Sequence, residues 1–139
     1  MSCDILIYTA QTTPIAVLAD GTVPLGTIIR RASGGIDLTG NGVRIQAQGY
    51  YNVDFGLTVE PDAAGPITAA LYLDGEAVPG AIATQTAAAA GDAISLTIPP
   101  SVVKLCGCCR GISTLTVRLS AAATVTNAAM RVERAVDYA

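Results

Sequence analysis

Apolar and polar residues alternate along most of this chain, and Gly49 to Pro61, GYYNVDFGLTVEP, shows the pattern at its longest. Tyr51, Val53, Phe55, Leu57 and Val59 fall on one side of an extended backbone, with Asn52, Asp54, Thr58 and Glu60 on the other. Successive side chains of a strand point to opposite faces, so this run predicts a long half-buried β-strand. Pro61 and the turn-forming residues up to Pro66 end it.

The same period recurs. Val43, Ile45 and Ala47 alternate with Arg44, Gln46 and Gln48; Leu115, Val117 and Leu119 with Thr116 and Arg118; Met130 and Val132 with Arg131 and Glu133. Ile94, Leu96 and Ile98 form another inward set, expected to stop at Pro99-Pro100. The run from Ile67 reads as a strand, a tight turn at Asp74-Gly75 and a return strand interrupted at Pro79-Gly80. Asp-Gly suits such a hairpin because both central positions need positive φ.

With DILIYT and VPLGTIIRR near the start, nine or ten strands are expected, and no segment has helical periodicity. Turn signals every 8–12 residues and no helix to cover a sheet predict two sheets that cover each other, an all-β sandwich. Gln11 to Thr22 fits either an edge strand or an arm reaching a neighbouring subunit. Ala81 to Ala93 reads as a strand of small residues, either beside another subunit or at a solvent-facing edge.

Composition narrows the picture. The chain has 139 residues, enough for one domain with a real core; 51% are apolar but 4% aromatic, so Val, Ile, Leu and Ala must fill that core. Charge is sparse, 14% of residues, with a net value of −3, and Arg30-Arg31 is the largest basic block. A nucleic-acid surface needs clustered cations, so no nucleic-acid partner is expected. So apolar a surface implies burial against other protein, and hence oligomerisation. No stretch is long enough to span a membrane, and the start MSCDILIYTAQ lacks the basic and long apolar regions of a signal peptide. The expectation is a reducing cytoplasm without a disulfide framework.

In their order, these motifs resemble the tumour-necrosis-factor-like (TNF-like) jelly roll in its complement-type branch, in particular bacterial and phage members. The matching positions are Gly49, Tyr51 and Val53, then Leu73, Gly75, Pro79 and Gly80, then Gly91-Asp92. The chain is also similar to small prophage-encoded proteins carrying PLGTIIRR and LTGNGV in their first half. The resemblance covers residues 23 to 135 and implies a ten-stranded jelly-roll sandwich that forms a homotrimer. In phage members it implies a place on the virion, as capsid decoration or fibre tip. Such relatives often follow a collagen-like or coiled stalk, and this chain has neither.

Chemistry concentrates in KLCGCCRG, where Cys106, Cys108 and Cys109 lie within four positions; Cys3 is the fourth cysteine. The Cys106–Cys109 spacing suits one half of a zinc site, but nothing in the spacing brings Cys3 near. A redox pair needs a helix N-terminus to lower the thiol pKa, and a strand follows instead. A small-residue loop with free thiols is the ordinary reading, and no cofactor or metal is assigned. Without histidine, Ser–His and Cys–His nucleophiles cannot be assembled. The carboxylate pairs Asp54/Glu60 and Asp74/Glu76 are expected to be solvated, and the chain is read as no enzyme.

The expectation is therefore a trimeric virion decoration or head-fibre protein, with Tyr50, Leu71 and Tyr72 as candidate trimer contacts. Residues 1–22 form an N-terminal strand or docking arm, with Ile5, Leu6, Ile7 and Tyr8 directed at the major capsid protein or another virion protein, and residues 23–139 form the jelly roll. Deleting residues 1–14 should on this view leave a soluble trimer that no longer binds particles. The alternatives are a fibre tip binding a host receptor or glycan through DLTGNG, EPDAAGP and LCGCCRG, or a bacterial surface protein.

Overall fold

The computed structural model describes residues 5–32, 36–46, 49–105 and 113–136. Eleven strands occur among them: β1 Leu6–Gln11, β2 Ile15–Val17, β3 Thr27–Ala32, β4 Ile36–Thr39, β5 Gly42–Ile45, β6 Gly49–Pro61, β7 Gly65–Leu73, β8 Glu76–Ala87, β9 Ile94–Leu105, β10 Ser113–Leu119 and β11 Ala123–Val136. They form two antiparallel sheets. Sheet A has the order β3-β1-β11-β6-β9, with β2 also paired to β11, and sheet B the order β4-β5-β10-β7-β8.

The predicted alternation places the core. From sheet A, Tyr51, Val53, Phe55, Leu57 and Val59 of β6 point inward with Met130 and Val132 of β11; from sheet B, Val43 and Ile45 of β5 meet Leu115, Val117 and Leu119 of β10. All are essentially inaccessible, and each large apolar side chain so buried contributes about 1.5–3 kcal/mol. The β7–β8 hairpin turns at Asp74 (φ 51°) and Gly75 (φ 86°), the conformation expected of this dipeptide. Asp74 also accepts a hydrogen bond from the Thr114 N–H at 2.9 Å, which ties the turn to β10.

Three expectations change. Pro99-Pro100 does not stop its strand: β9 runs through to Leu105, and the prolines occupy a bulge where Val53 pairs with Ser101 and Phe55 with Ile98. Pro79-Gly80 is likewise carried inside β8, at the shift between the Ala70 and Tyr72 pairings. Both strands are sheet edges, where proline's missing N–H and a bulge cost no ladder partner.

The third change concerns the N-terminus. The described part of residues 1–22, from Ile5 on, does not stand apart, because β1 lies between β3 and β11, with Leu6 opposite Glu133 and Gln11 opposite Ala128. Ile5 and Ile7 are core residues. Deleting residues 1–14 would thus open sheet A and expose core rather than trim an arm.

Between β2 and β3 the chain crosses to sheet B and back. Asp20 N–H donates to the Leu119 carbonyl (2.8 Å) and Val23 N–H to the Val117 carbonyl (2.7 Å), while Val23 and Leu25 are buried. The strand expected over VPLGTIIRR therefore begins only at Thr27, after Gly26 turns the chain at φ +79°.

Candidate interaction surface

Four strands of sheet A build a broad outer face. Outward positions alternate with the core positions, so the register sets which side chains share a row. Tyr8, Arg131 and Asp54 lie side by side on β1, β11 and β6. The Arg131 guanidinium donates to the Asp54 carboxylate, with the two side chains 52% and 36% exposed. The next row is Ala10, Ala129, Gly56 and Thr97. Its side chains are far shorter than those of the Tyr8 row, which leaves a depression of about 290 Å³ bounded by Tyr8, Arg131, Pro100 and Thr97. On the far side of the Tyr8 row come Leu6, Glu133, Asn52 and Val102.

Such a face can receive protein better than a small molecule, being open and shallow, with its two central charges neutralising each other. As a solvent-exposed pair, Asp54 and Arg131 should contribute about 0.2–1 kcal/mol. A double-mutant cycle with Asp54→Ala and Arg131→Ala should give that coupling in dilute, dissociated protein, and a smaller one as salt rises. A coupling that does not respond to salt would show that the pair is shielded from solvent.

The candidate trimer contacts do not form one patch. Tyr50 lies on this outer face of sheet A, half-buried. Tyr72 lies on the outer face of sheet B, where the Arg118 guanidinium stacks 4.4 Å from its ring centre. Leu71 is corrected outright: it is 0% exposed and belongs to the core. Adjacent residues of a strand point to opposite faces, so Leu71 and Tyr72 cannot both face outward. Among the candidate docking residues, Ile5 and Ile7 are corrected in the same way, whereas Leu6 is half-buried and Tyr8 is 37% exposed.

The candidate binding loops are reduced too. DLTGNG is mostly the β4–β5 hairpin, where the Asp37 carboxylate accepts from the Leu38 N–H (2.9 Å) and pairs with Arg31 (3.0 Å). EPDAAGP is the connection of β6 to β7. Cys3, Cys106, Cys108 and Cys109 lie outside the described residues. Among the described residues no group of three or more potential ligands could hold a metal ion.

The row Ala10–Ala129–Gly56–Thr97 went unread in the sequence. It joins strands up to 119 residues apart, so only the pairing of β1, β11, β6 and β9 brings it together.

No protein-family model and no curated protein matches this chain. Solved structures match it over nearly its whole length. The Eiger TNF of S. frugiperda superposes with a TM-score of 0.71 at 13% identity, covering 98% of this chain and 94% of that one. The globular domain of zebrafish complement 1qA gives 0.69 at 9% identity, covering 96% and 99%. The PRD1 vertex protein P5 gives 0.57 at 15% identity, covering 99% and 100%. At such identities the likeness is one of fold, and it agrees with the two five-membered strand orders traced above. The chain has the fold of the TNF-like jelly rolls.

Proposed function

We propose that this chain is a structural protein of a phage virion: a homotrimeric jelly roll, assembled in the host cytoplasm, that decorates the capsid by binding the major capsid protein or another virion protein. The observation that carries the particle reading is the likeness of fold, over 99% of the chain, to the vertex protein P5 of PRD1. The outer face of sheet A supports self-association. It pairs its central charges and offers a row of small residues into which a neighbouring copy's side chains can settle. Tyr50 and Tyr8 stand on that face, and a stable assembly would bury on the order of 2,000 Å² or more per interface. Leu6 and Tyr8 then face the neighbouring copies, so β1 serves self-association rather than attachment to the particle.

Light scattering should give three times the chain mass of 14.1 kDa. Ala129→Arg places a long cation in the small-residue row and should return single chains with an unchanged circular-dichroism spectrum. A stable monomer of the unmodified protein at micromolar concentration would end the trimer reading. For the particle, the measurement is a density gradient of virions from cells expressing the chain with the phage's structural genes. Banding with the virions is expected, and complete retention in the free-protein fractions would remove the decoration role.

A further inference from the structure

The outer face of sheet B carries a second hollow, and the strand register explains its shape. Arg118 of β10, Ala70 of β7 and Ile82 of β8 share one row, so a methyl group stands between two long side chains. Tyr72 closes the hollow on one side, Thr68 and Ser120 on the other, at a volume of about 220 Å³. Pockets for drug-sized ligands run to about 300–1,000 Å³, so this one suits a single sugar ring or side chain.

Its polar groups have unused capacity. The Arg118 guanidinium stacks on Tyr72 and pairs with no carboxylate among the described residues. Asp20 also lines the hollow, but from the opposite side of β10: its N–H donates to the Leu119 carbonyl (2.8 Å), while Leu119 faces Ala69 of β7 across the sheet. Stacking on β7 thus draws the cation away from Asp20 and keeps the two charges apart. Asp20 stands third in a turn closed by the Gly21 N–H on the Leu18 carbonyl (2.9 Å), at φ 60°, where Gly or Asn is preferred. Asp74, likewise at positive φ, uses its carboxylate to hold the Thr114 N–H; the Asp20 carboxylate accepts no hydrogen bond among the described residues. Ser120 Oγ accepts the Thr68 N–H at 2.9 Å, which leaves its own O–H to donate outward.

We propose that this hollow binds one carboxylated sugar ring. The carboxylate takes the guanidinium of Arg118 in the two-point, charge-assisted geometry that arginine offers. Ring hydroxyls donate to Asp20 and accept from Ser120, and the C–H face of the ring rests on Ala70 and Ile82. Ile82 is 52% exposed, a large apolar side chain left without cover by its own fold. A simple carboxylate would use Arg118 alone, and a neutral sugar would leave that cation unmatched. An amino acid would set its ammonium on a water-exposed carboxylate, a weak pairing, and leave the Ser120 hydroxyl idle. The hollow lies on the other sheet from the face assigned to self-association, so this reading requires neither the trimer nor the virion.

The probe is methyl β-glucuronide, whose ring stays closed, titrated against the isotope-labelled full chain with the amide signals of Ala70, Arg118 and Ser120 as readout. Methyl β-glucoside, propionate and free alanine are the controls. The glucuronide should shift these signals saturably at millimolar concentration, and each control should bind about tenfold more weakly or less. Arg118→Gln should bring the glucuronide down to the level of the glucoside while leaving the glucoside unchanged, which separates a lost charge from a lost fold. Asp20→Asn, a residue this turn accepts, should weaken both sugars. Three results would overturn the proposal: no saturation by the glucuronide, equal binding of any control, or full affinity for the glucuronide in Arg118→Gln. Equal binding of propionate would mean a bare anion contact, and equal binding of alanine a site for amino acids.

Discussion

Leu71→Ala should lower the stability of the folded chain by about 2–5 kcal/mol, the range for removing a large aliphatic side chain from a packed core. Leu71 is wholly enclosed, on the inward side of β7 with Ile67 and Ala69. Its loss leaves a hole between the sheets that surrounding strands can close only in part. The neighbouring change Tyr72→Ala should cost about 1 kcal/mol or less, since it removes a surface ring and its stacking on Arg118. Urea unfolding of the two variants at one fixed protein concentration checks the contrast. If Leu71→Ala instead lowered the oligomeric mass while leaving the unfolding midpoint of the dissociated chain unchanged, its place in the core would be wrong.

Gly26→Ala should be nearly as damaging, for a different reason. Gly26 has φ +79°, and a Cβ there would lie 2.0 Å from the Ala10 carbonyl oxygen and 2.6 Å from the Gln11 Cα. Left-handed backbone costs an L-residue about 1–2 kcal/mol, and contact with rigid backbone forces the entry to β3 away from β1. Together these should cost about 3 kcal/mol, or roughly 10 °C in Tm for a domain of this size. Gly75→Ala makes a useful comparison. Its φ is also positive, but nothing lies within 4 Å of the added carbon, so it should lose only the conformational part. Calorimetry giving equal losses for the two variants would show that the close crossing at Ala10 does not matter.

These cases mark what was legible in the chain. Strands with one wet face declared themselves: β6, β10 and the Met130–Glu133 part of β11 follow period two because the core takes every second residue. The Asp74-Gly75 turn was legible because the residues themselves demand its φ values. Leu71 was not, because Ala70, Leu71, Tyr72 and Leu73 are all apolar and an unbroken apolar run carries no parity. The prolines of β8 and β9 misled because proline rules out the middle of a sheet but not its margin, and position within a sheet is not a local property. The candidate surface was the least legible part. Its small-residue row is a property of register between β1, β11, β6 and β9.

The pairing of β1 with β11 also governs when the molecule can exist at all. Residues 6–11 wait for residues 128–133, and β11 then supplies the partner for β6 as well. An emerging chain on the ribosome thus carries Ile5 and Ile7 uncovered until residues 128–133 have been made, and contacts of such long sequence separation form slowly. Messages cut short anywhere before the last strand would yield no partial jelly roll, only sticky fragments for proteases to clear, so the cell would accumulate either whole subunits or none.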